Sequence, residues 1–187
     1  HTRCLKVTGV QTCALPIGTY LDYNATAPLR PEARAAMIAA MDAVGNPSSV
    51  HSEGRAAKAI VERARQQISD ALGAAGSDIV FTSSATESAA LALAGRDLHA
   101  ARIEHDAVAA WIMPDLALKE GQVQVSDAAQ SCVQVANSET GVIQNLPSGL
   151  AVSDLTQGFG KLPLAFDWTG IRMGLVSGHK LGGPKGV

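Results

Sequence analysis

The sequence predicts an α/β domain built on a mainly parallel sheet. Three observations carry that reading. Short β-branched or apolar runs alternate with longer segments of helical periodicity. Polar and charged residues collect where the apolar runs stop, as in Thr82-Ser83-Ser84, Glu104-His105-Asp106 and Ser177-Gly178-His179-Lys180. Length and composition suit a single core, with 187 residues, 47% of them hydrophobic and 17% charged, as expected of a globular chain. Sheets of this kind bind ligands at strand ends, so those junctions hold the candidate site.

Composition also excludes several classes. Fifteen Lys plus Arg against seventeen Asp plus Glu give a formal net charge of −2, and no basic run points to nucleic acid. No stretch is apolar for the ~20 residues that a membrane span needs. The cysteines, Cys4, Cys13 and Cys132, have no regular spacing, so they make neither a disulfide framework nor a zinc site, and no metal is expected. A reducing, cytoplasmic setting is the default. There is no internal repeat and no low-complexity tract.

Taken in order, residues 1–17 have no periodicity and no cap. Thr8-Gly9-Val10-Gln11-Thr12-Cys13-Ala14-Leu15-Pro16-Ile17 looks like the translation of a sequencing adapter, so 1–17 read as a non-native leader, set aside from fold reasoning. A signal peptide is the competing reading, against which the apolar stretch is short and interrupted. Residues 19–22 are extended, and Asn24-Ala25-Thr26-Ala27-Pro28 turns the chain. Pro31 suits a first helical turn. Ala33, Met37, Ala40, Met41 and Val44 then share one face until Gly45 and Pro47 stop the helix. Asn46-Pro47-Ser48-Ser49-Val50-His51 is a polar loop. A longer helix is expected over 53–72, with Ala57, Val61, Ala64, Ile68 and Ala71 as a buried stripe and Lys58, Glu62, Arg65 and Gln66 in solvent.

A strand is expected at 79–82, and then a small-residue helix over 88–94. Ser84 and Glu87 have capping-box spacing. The free N–H groups, the positive dipole end and the hydroxyls there form an anion site; an ordinary N-cap would look the same. A strand over 98–103 ends at His105, a position suited to a site residue and equally to a structural histidine. Residues 119–127 read as a turn with a short strand. The strand 132–136 runs into the turn cluster Asn137-Ser138-Glu139-Thr140-Gly141. The strand 150–153 ends in Asp154, with Gln157 three residues on. Another segment begins at 162–164. The apolar run 173–177 delivers Ser177, His179 and Lys180, then enters a Gly-Gly-Pro turn. A lysine held at a strand end beside hydroxyl and imidazole donors suits Schiff-base chemistry; a plainly exposed lysine is the alternative.

With these residues laid out, the chain resembles the cysteine desulfurases, in the class V aminotransferase group of fold-type I pyridoxal-phosphate (PLP) enzymes. The similarity runs in order over about 20–187. It rests on Tyr20-Leu21-Asp22-Tyr23-Asn24-Ala25-Thr26-Ala27-Pro28, Gly45-Asn46-Pro47-Ser48-Ser49-Val50-His51, Ser84-Ala85-Thr86-Glu87, Glu104-His105, Asn137-Ser138-Glu139-Thr140-Gly141, Asp154-Leu155-Thr156-Gln157, and Ser177-Gly178-His179-Lys180 with Gly183-Pro184-Lys185-Gly186. The resemblance implies an incomplete PLP-dependent transferase large domain over 18–187, a mainly parallel sheet with helices on both faces. The chain is expected to be a fragment cut at both ends, inactive alone and with an open sheet edge.

The resemblance also implies roles. Lys180 would tether the cofactor aldehyde and move the substrate Cα proton. Asp154 would pair with the pyridine nitrogen, Gln157 with the ring's phenolic oxygen, and His105 would stack on the ring and exchange protons. Thr86 and the Ala85 amide would hold the phosphate, with Ser177 and His179 completing the cradle. Ser138 stands where these enzymes usually carry Asn beside the ring oxygen, and Ser84 where Gly is usual; 112–131 and 145–149 look shortened. L-cysteine would be the substrate, L-alanine and an enzyme persulfide the products, and iron–sulfur cluster or thio-cofactor synthesis the destination. A sulfur-acceptor protein and a homodimer are the implied partners. The loop cysteine, the carboxylate-binding arginine and the small domain of the family have no counterpart here, and buried Cys132 is no substitute. Another class V enzyme, such as a selenocysteine lyase or an aminotransferase, or a non-catalytic PLP-binding homologue, is the alternative.

Overall fold

Local chemistry accounts for where the helices begin and end. A computed structural model describes residues 19–186, and the leader expected over 1–17 lies outside them. Helix α1 (Pro31–Met41) opens on its proline, with no side-chain cap. Its expected core face finds no core. No residue of α1 is buried, and Met41 is 75% exposed and Val44 82%. An apolar stripe needs a partner surface, and among the described residues this one is covered only in part, with Ala33 and Met37 half-buried.

Helix α2 (Ser52–Leu72) is capped by His51, whose ring accepts a hydrogen bond from Gly54 N at 3.3 Å. It stops at Gly73, whose φ of +60° is the left-handed end that glycine adopts without cost. Ala57 is buried and Val61, Ala64 and Ile68 are half-buried, but Ala71 is exposed and Leu72 takes its place in the core. Helix α3 (Ala85–Leu93) starts three residues ahead of the expected 88, because Ser84 Oγ accepts from Glu87 N at 3.2 Å and fixes the first turn there. The Glu87 carboxylate returns to Ser83 N at 2.6 Å, one residue short of a full capping box. Helices α4 (Asp106–Ala109) and α5 (Phe166–Thr169) are single turns. The expected segment at 162–164 is an irregular lead into α5.

The strands are very short. β1 (Leu118–Lys119) and β2 (Gln122–Val123) form an antiparallel hairpin around Glu120 and Gly121. β3 (Ser153–Asp154) and β4 (Gly174–Leu175) pair in parallel. Isolated parallel bridges extend this pair, from Val152 to Cys132, from Ser131 to His99 and from His99 to Met113. Backbone bonds such as Cys132 N to His99 O at 2.8 Å and Leu155 N to Leu175 O at 2.9 Å keep the order. The expected strands at 98–103, 132–136, 150–153 and 173–177 therefore lie side by side, although little of each is regularly paired. The expected strand at 79–82 does not form. Its residues belong to no ladder among the described residues, the Arg65 guanidinium takes the Ile79 carbonyl, and Val80 is 72% exposed.

Alternation across the sheet places helices on both faces. Cys132 packs in one cluster with Ala89 and Leu93 of α3 and Val108 of α4. The next residue, Val133, packs in the other with Leu72 of α2 and Phe166 of α5. This sandwich aims the ends of the parallel segments toward the start of α3.

Candidate functional site

One hollow of about 490 Å³ opens at that junction. Ala85 and Thr86 reach it from the first turn of α3, and His105 from the cap of α4. Ser138 comes from the turn after 132–136, Asp154 from the end of β3, Gln157 from the turn that follows, and Ser177, His179 and Lys180 from the chain after β4. Every residue given a cofactor contact from the sequence thus lines the same cavity, drawn from segments nearly a hundred residues apart.

Each group is held by short-range bonds. Asp154 Oδ1 accepts from Thr156 N at 2.9 Å, which leaves Oδ2 for a further partner. His105 Nδ1 accepts from Ala107 N at 3.1 Å, so the neutral ring carries its proton on Nε2. Ala85 and Thr86 lie in the first turn of α3, where backbone N–H groups have no intrahelical acceptor. Lys180 ends a 3-10 turn over Gly178–Lys180 and is half-buried. His179 Nδ1 lies 2.9 Å from Thr26 Oγ1. Burial, then the nearby Lys180 and Lys185 cations, lower the His179 pKa, which favours the neutral ring. Ser138 Oγ donates to Glu139 at 3.2 Å while its carbonyl accepts from Asn24 Nδ2 at 2.8 Å. The Gln157 amide is engaged at both ends, donating to Asn24 O at 2.9 Å and accepting from Lys161 Nζ at 2.5 Å. The second Nε2 proton of Gln157 is left for another acceptor such as a ring oxygen.

Other residues join the site without a sequence signal of their own. Thr26, Gln134 and Thr156 line the hollow. Lys161 lies close enough to Lys180 that burial and that neighbouring charge lower its pKa. The i, i+4 spacing of Gln157 and Lys161, one helical step, is the signal by which the last of these could be found. Glu104 is buried just behind His105. Cys132 is fully buried, and burial, followed by the Glu104 and Asp154 carboxyls, pushes its thiol well above the usual range. It is a core residue.

The chain is similar to known proteins along most of its length. The aminotransferase class-V family model matches residues 19–110. An IscS-like cysteine desulfurase of Mycobacterium tuberculosis is 34% identical over an alignment that covers 90% of this chain. The chain belongs to the aminotransferase class-V family. Among its class-V relatives, a cysteine desulfurase IscS of Dictyoglomus turgidum is 32% identical over 90% of this chain. A solved NifS-like protein from Rickettsia africae superposes with a TM-score of 0.77 at 34% identity, covering 89% of this chain and 56% of that one. A structure described as SspA in complex with cysteine gives 0.76 at 28% identity, covering 89% of this chain and 59% of that one. The chain spans about half the length of the curated relatives it matches, 53% and 52% of the two above.

The donor set fits pyridoxal phosphate. An aldehyde needs an amine, a pyridinium needs an anion, and a phosphate needs clustered N–H and O–H donors. The hollow offers Lys180 Nζ, Asp154 Oδ2, and the α3 amides with the Thr86 and Ser177 hydroxyls.

Proposed function

We propose that this chain is the cofactor-holding portion of a pyridoxal-phosphate-dependent cysteine desulfurase. The complete enzyme removes sulfur from L-cysteine, leaves L-alanine, and carries the sulfur as a persulfide to an acceptor protein; it works as a homodimer in the cytoplasm. The observation that supports this reading most is the convergence of Lys180, Asp154, His105 and Thr86 on one hollow. Likeness to desulfurases along nearly the whole described chain supports it as well.

In this reading Lys180 Nζ holds the cofactor and carries the proton taken from the substrate Cα. Asp154 would pair with the pyridine nitrogen and keep it protonated. His105 would lie against the ring and exchange protons through Nε2. Ala85 N, Thr86 and Ser177 bind the phosphate at the dipole end of α3, with His179 beside them. Pyridoxal phosphate bound there supplies an electron sink for the pair left at Cα. The engaged amide of Gln157 and the hydroxyl of Ser138 set the polar rim near the ring oxygen.

Borohydride trapping tests the site directly. The full chain is incubated with pyridoxal phosphate, reduced, digested and mapped by mass. A pyridoxyl label on Lys180, lost in Lys180→Ala, is expected. A label spread evenly over surface lysines would remove the basis for the assignment. Sulfide release from L-cysteine, measured against keto-acid transamination in the complete enzyme, then separates desulfurase from aminotransferase.

A further inference from the structure

Glu104 has no role so far, yet it is only 8% exposed. Its Oε1 accepts from Gln134 N at 2.9 Å, and its Oε2 is buried with no partner. No Lys, Arg or His is within ion-pair reach of it among the described residues. The titratable groups facing it are the Asp154 carboxyl and the Cys132 thiol, with Arg96 beyond, near that thiol; His105 follows it in the chain. An ionised carboxylate in that place would be a buried charge with one donor and an acidic neighbour, which is strongly unfavourable.

The bonds around Glu104 form a clasp. Gln134 Nε2 donates to Ile103 O at 2.5 Å, and Asn137 Nδ2 donates to the same carbonyl at 3.1 Å. Together with the Glu104 bond they fasten Ile103 and Glu104, just before His105, to Gln134 and Asn137. His105 lies on one side of the clasp and Ser138 on the other, and both line the hollow.

We propose that Glu104 is a positioning residue that, as an uncharged acid, locks the two strand ends together and so sets where His105 stands over the hollow. The proposal rests on the cofactor reading above for its purpose. Burial, opposed by the Gln134 bond and reinforced by Asp154, pushes the Glu104 pKa up to about 8, in keeping with the uncharged form. The neutral acid also adds no second negative charge beside Asp154, the anion assigned to the pyridine nitrogen.

Glu104→Gln keeps the acceptor and the shape without a titrating group, whereas Glu104→Asp shortens the arm by one methylene. Difference infrared spectra of the full chain at pH 7 should show a protonated-carboxyl carbonyl band that Glu104→Gln lacks. The His105 ring resonance, followed by NMR, should be unchanged in Glu104→Gln and displaced in Glu104→Asp. Pyridoxal-phosphate affinity should stay within about threefold in the first and fall about tenfold in the second, a difference of about 1.4 kcal/mol. No such band in the wild type, or a His105 resonance displaced by the Gln substitution, would overturn the proposal. If Glu104→Asp does not fold, the band and the Gln variant decide alone. A wild-type chain that takes up no pyridoxal phosphate defeats the proposed function, while the band and the resonance still judge Glu104.

Discussion

The two sides of the hollow are held by different physics. On the sheet side, Leu150, Ala151, Val152 and Ser153 are all 0% exposed, and Leu155 is 1% exposed. On the N-terminal side, Leu21 is 81% exposed, Val50 is 88% exposed, and α1 buries nothing. The N-terminal arm is instead joined to the site by hydrogen bonds. Asn24 bridges Ser138 and Gln157, Ala27 N donates to His179 O at 3.0 Å, and Arg30 N donates to Gly182 O at 2.9 Å. A hydrogen bond of this kind stabilises by about 0.5–1.5 kcal/mol net, while full burial of one leucine side chain contributes about 1.5–3 kcal/mol. Asp154 is therefore set by packing, whereas His105 is exposed and held by the bond its ring accepts from Ala107 N. Thr26 and Asn24 are joined to His179, Ser138 and Gln157 by polar contacts that orient more than they stabilise.

The sharpest consequence concerns pH. Glu104 lies in the dry half, and its pKa in the folded chain, about 8, stands above the ordinary value of 4.5. Between those values the folded state keeps a proton that the unfolded state has released. The stability contributed by Glu104 is complete below 4.5 and is lost as pH rises through about 8. The slope in that window is about 1.4 kcal/mol per pH unit for one proton. Urea midpoints across the window should fall in wild type relative to Glu104→Gln. Parallel curves would mean that the sheet side is wetter than its burial implies.

Truncation compares the two sides at equal chemistry. Leu155→Ala removes a fully buried side chain and should cost about 2–5 kcal/mol. Met41→Ala, at a residue 75% exposed, should stay within about 0.5 kcal/mol. Equal losses in denaturant midpoint would show that α1 is covered in solution, and would erase the contrast between the two sides.

That same contrast decided what could be read from the sequence. The ladder segments were legible because burial on both faces leaves nearly unbroken apolar runs, as at Cys132-Val133-Gln134-Val135-Ala136. The site was legible because strand ends gather chemistry, so Asp154, His105 and Lys180 stood out before their proximity was known. Pattern misled wherever a partner surface was needed. Val80 and Phe81 have strand character but no neighbouring strand among the described residues. The stripe of α1 has the right spacing but is only half-covered among the described residues, at Ala33 and Met37. Glu104 could be seen only in three dimensions, since its significance lies in Gln134 and Asp154, which are distant in sequence. α5 was missed because a single turn is too short to show a period.

The smallest expected effect tests the seam between packing and polar contact. Ser84 caps α3 and also lines the hollow. Removing the cap with Ser84→Ala leaves the Glu87 amide without its acceptor and should cost about 1 kcal/mol, whereas Ser84→Gly should cost only a few tenths. The matching position on the other side is Arg30, which precedes α1 and makes no side-chain cap bond, so Arg30→Ala should leave the urea midpoint unchanged. A cap loss at Ser84 should also weaken pyridoxal-phosphate binding, because fraying of the first turn disperses the Ala85 and Thr86 amides that the phosphate needs together. If Ser84→Ala lowers stability but leaves cofactor affinity intact, the core beneath Ala89 and Leu93 keeps the Ala85 and Thr86 amides in place even without the cap. The anion site would then belong wholly to the packed side of the molecule.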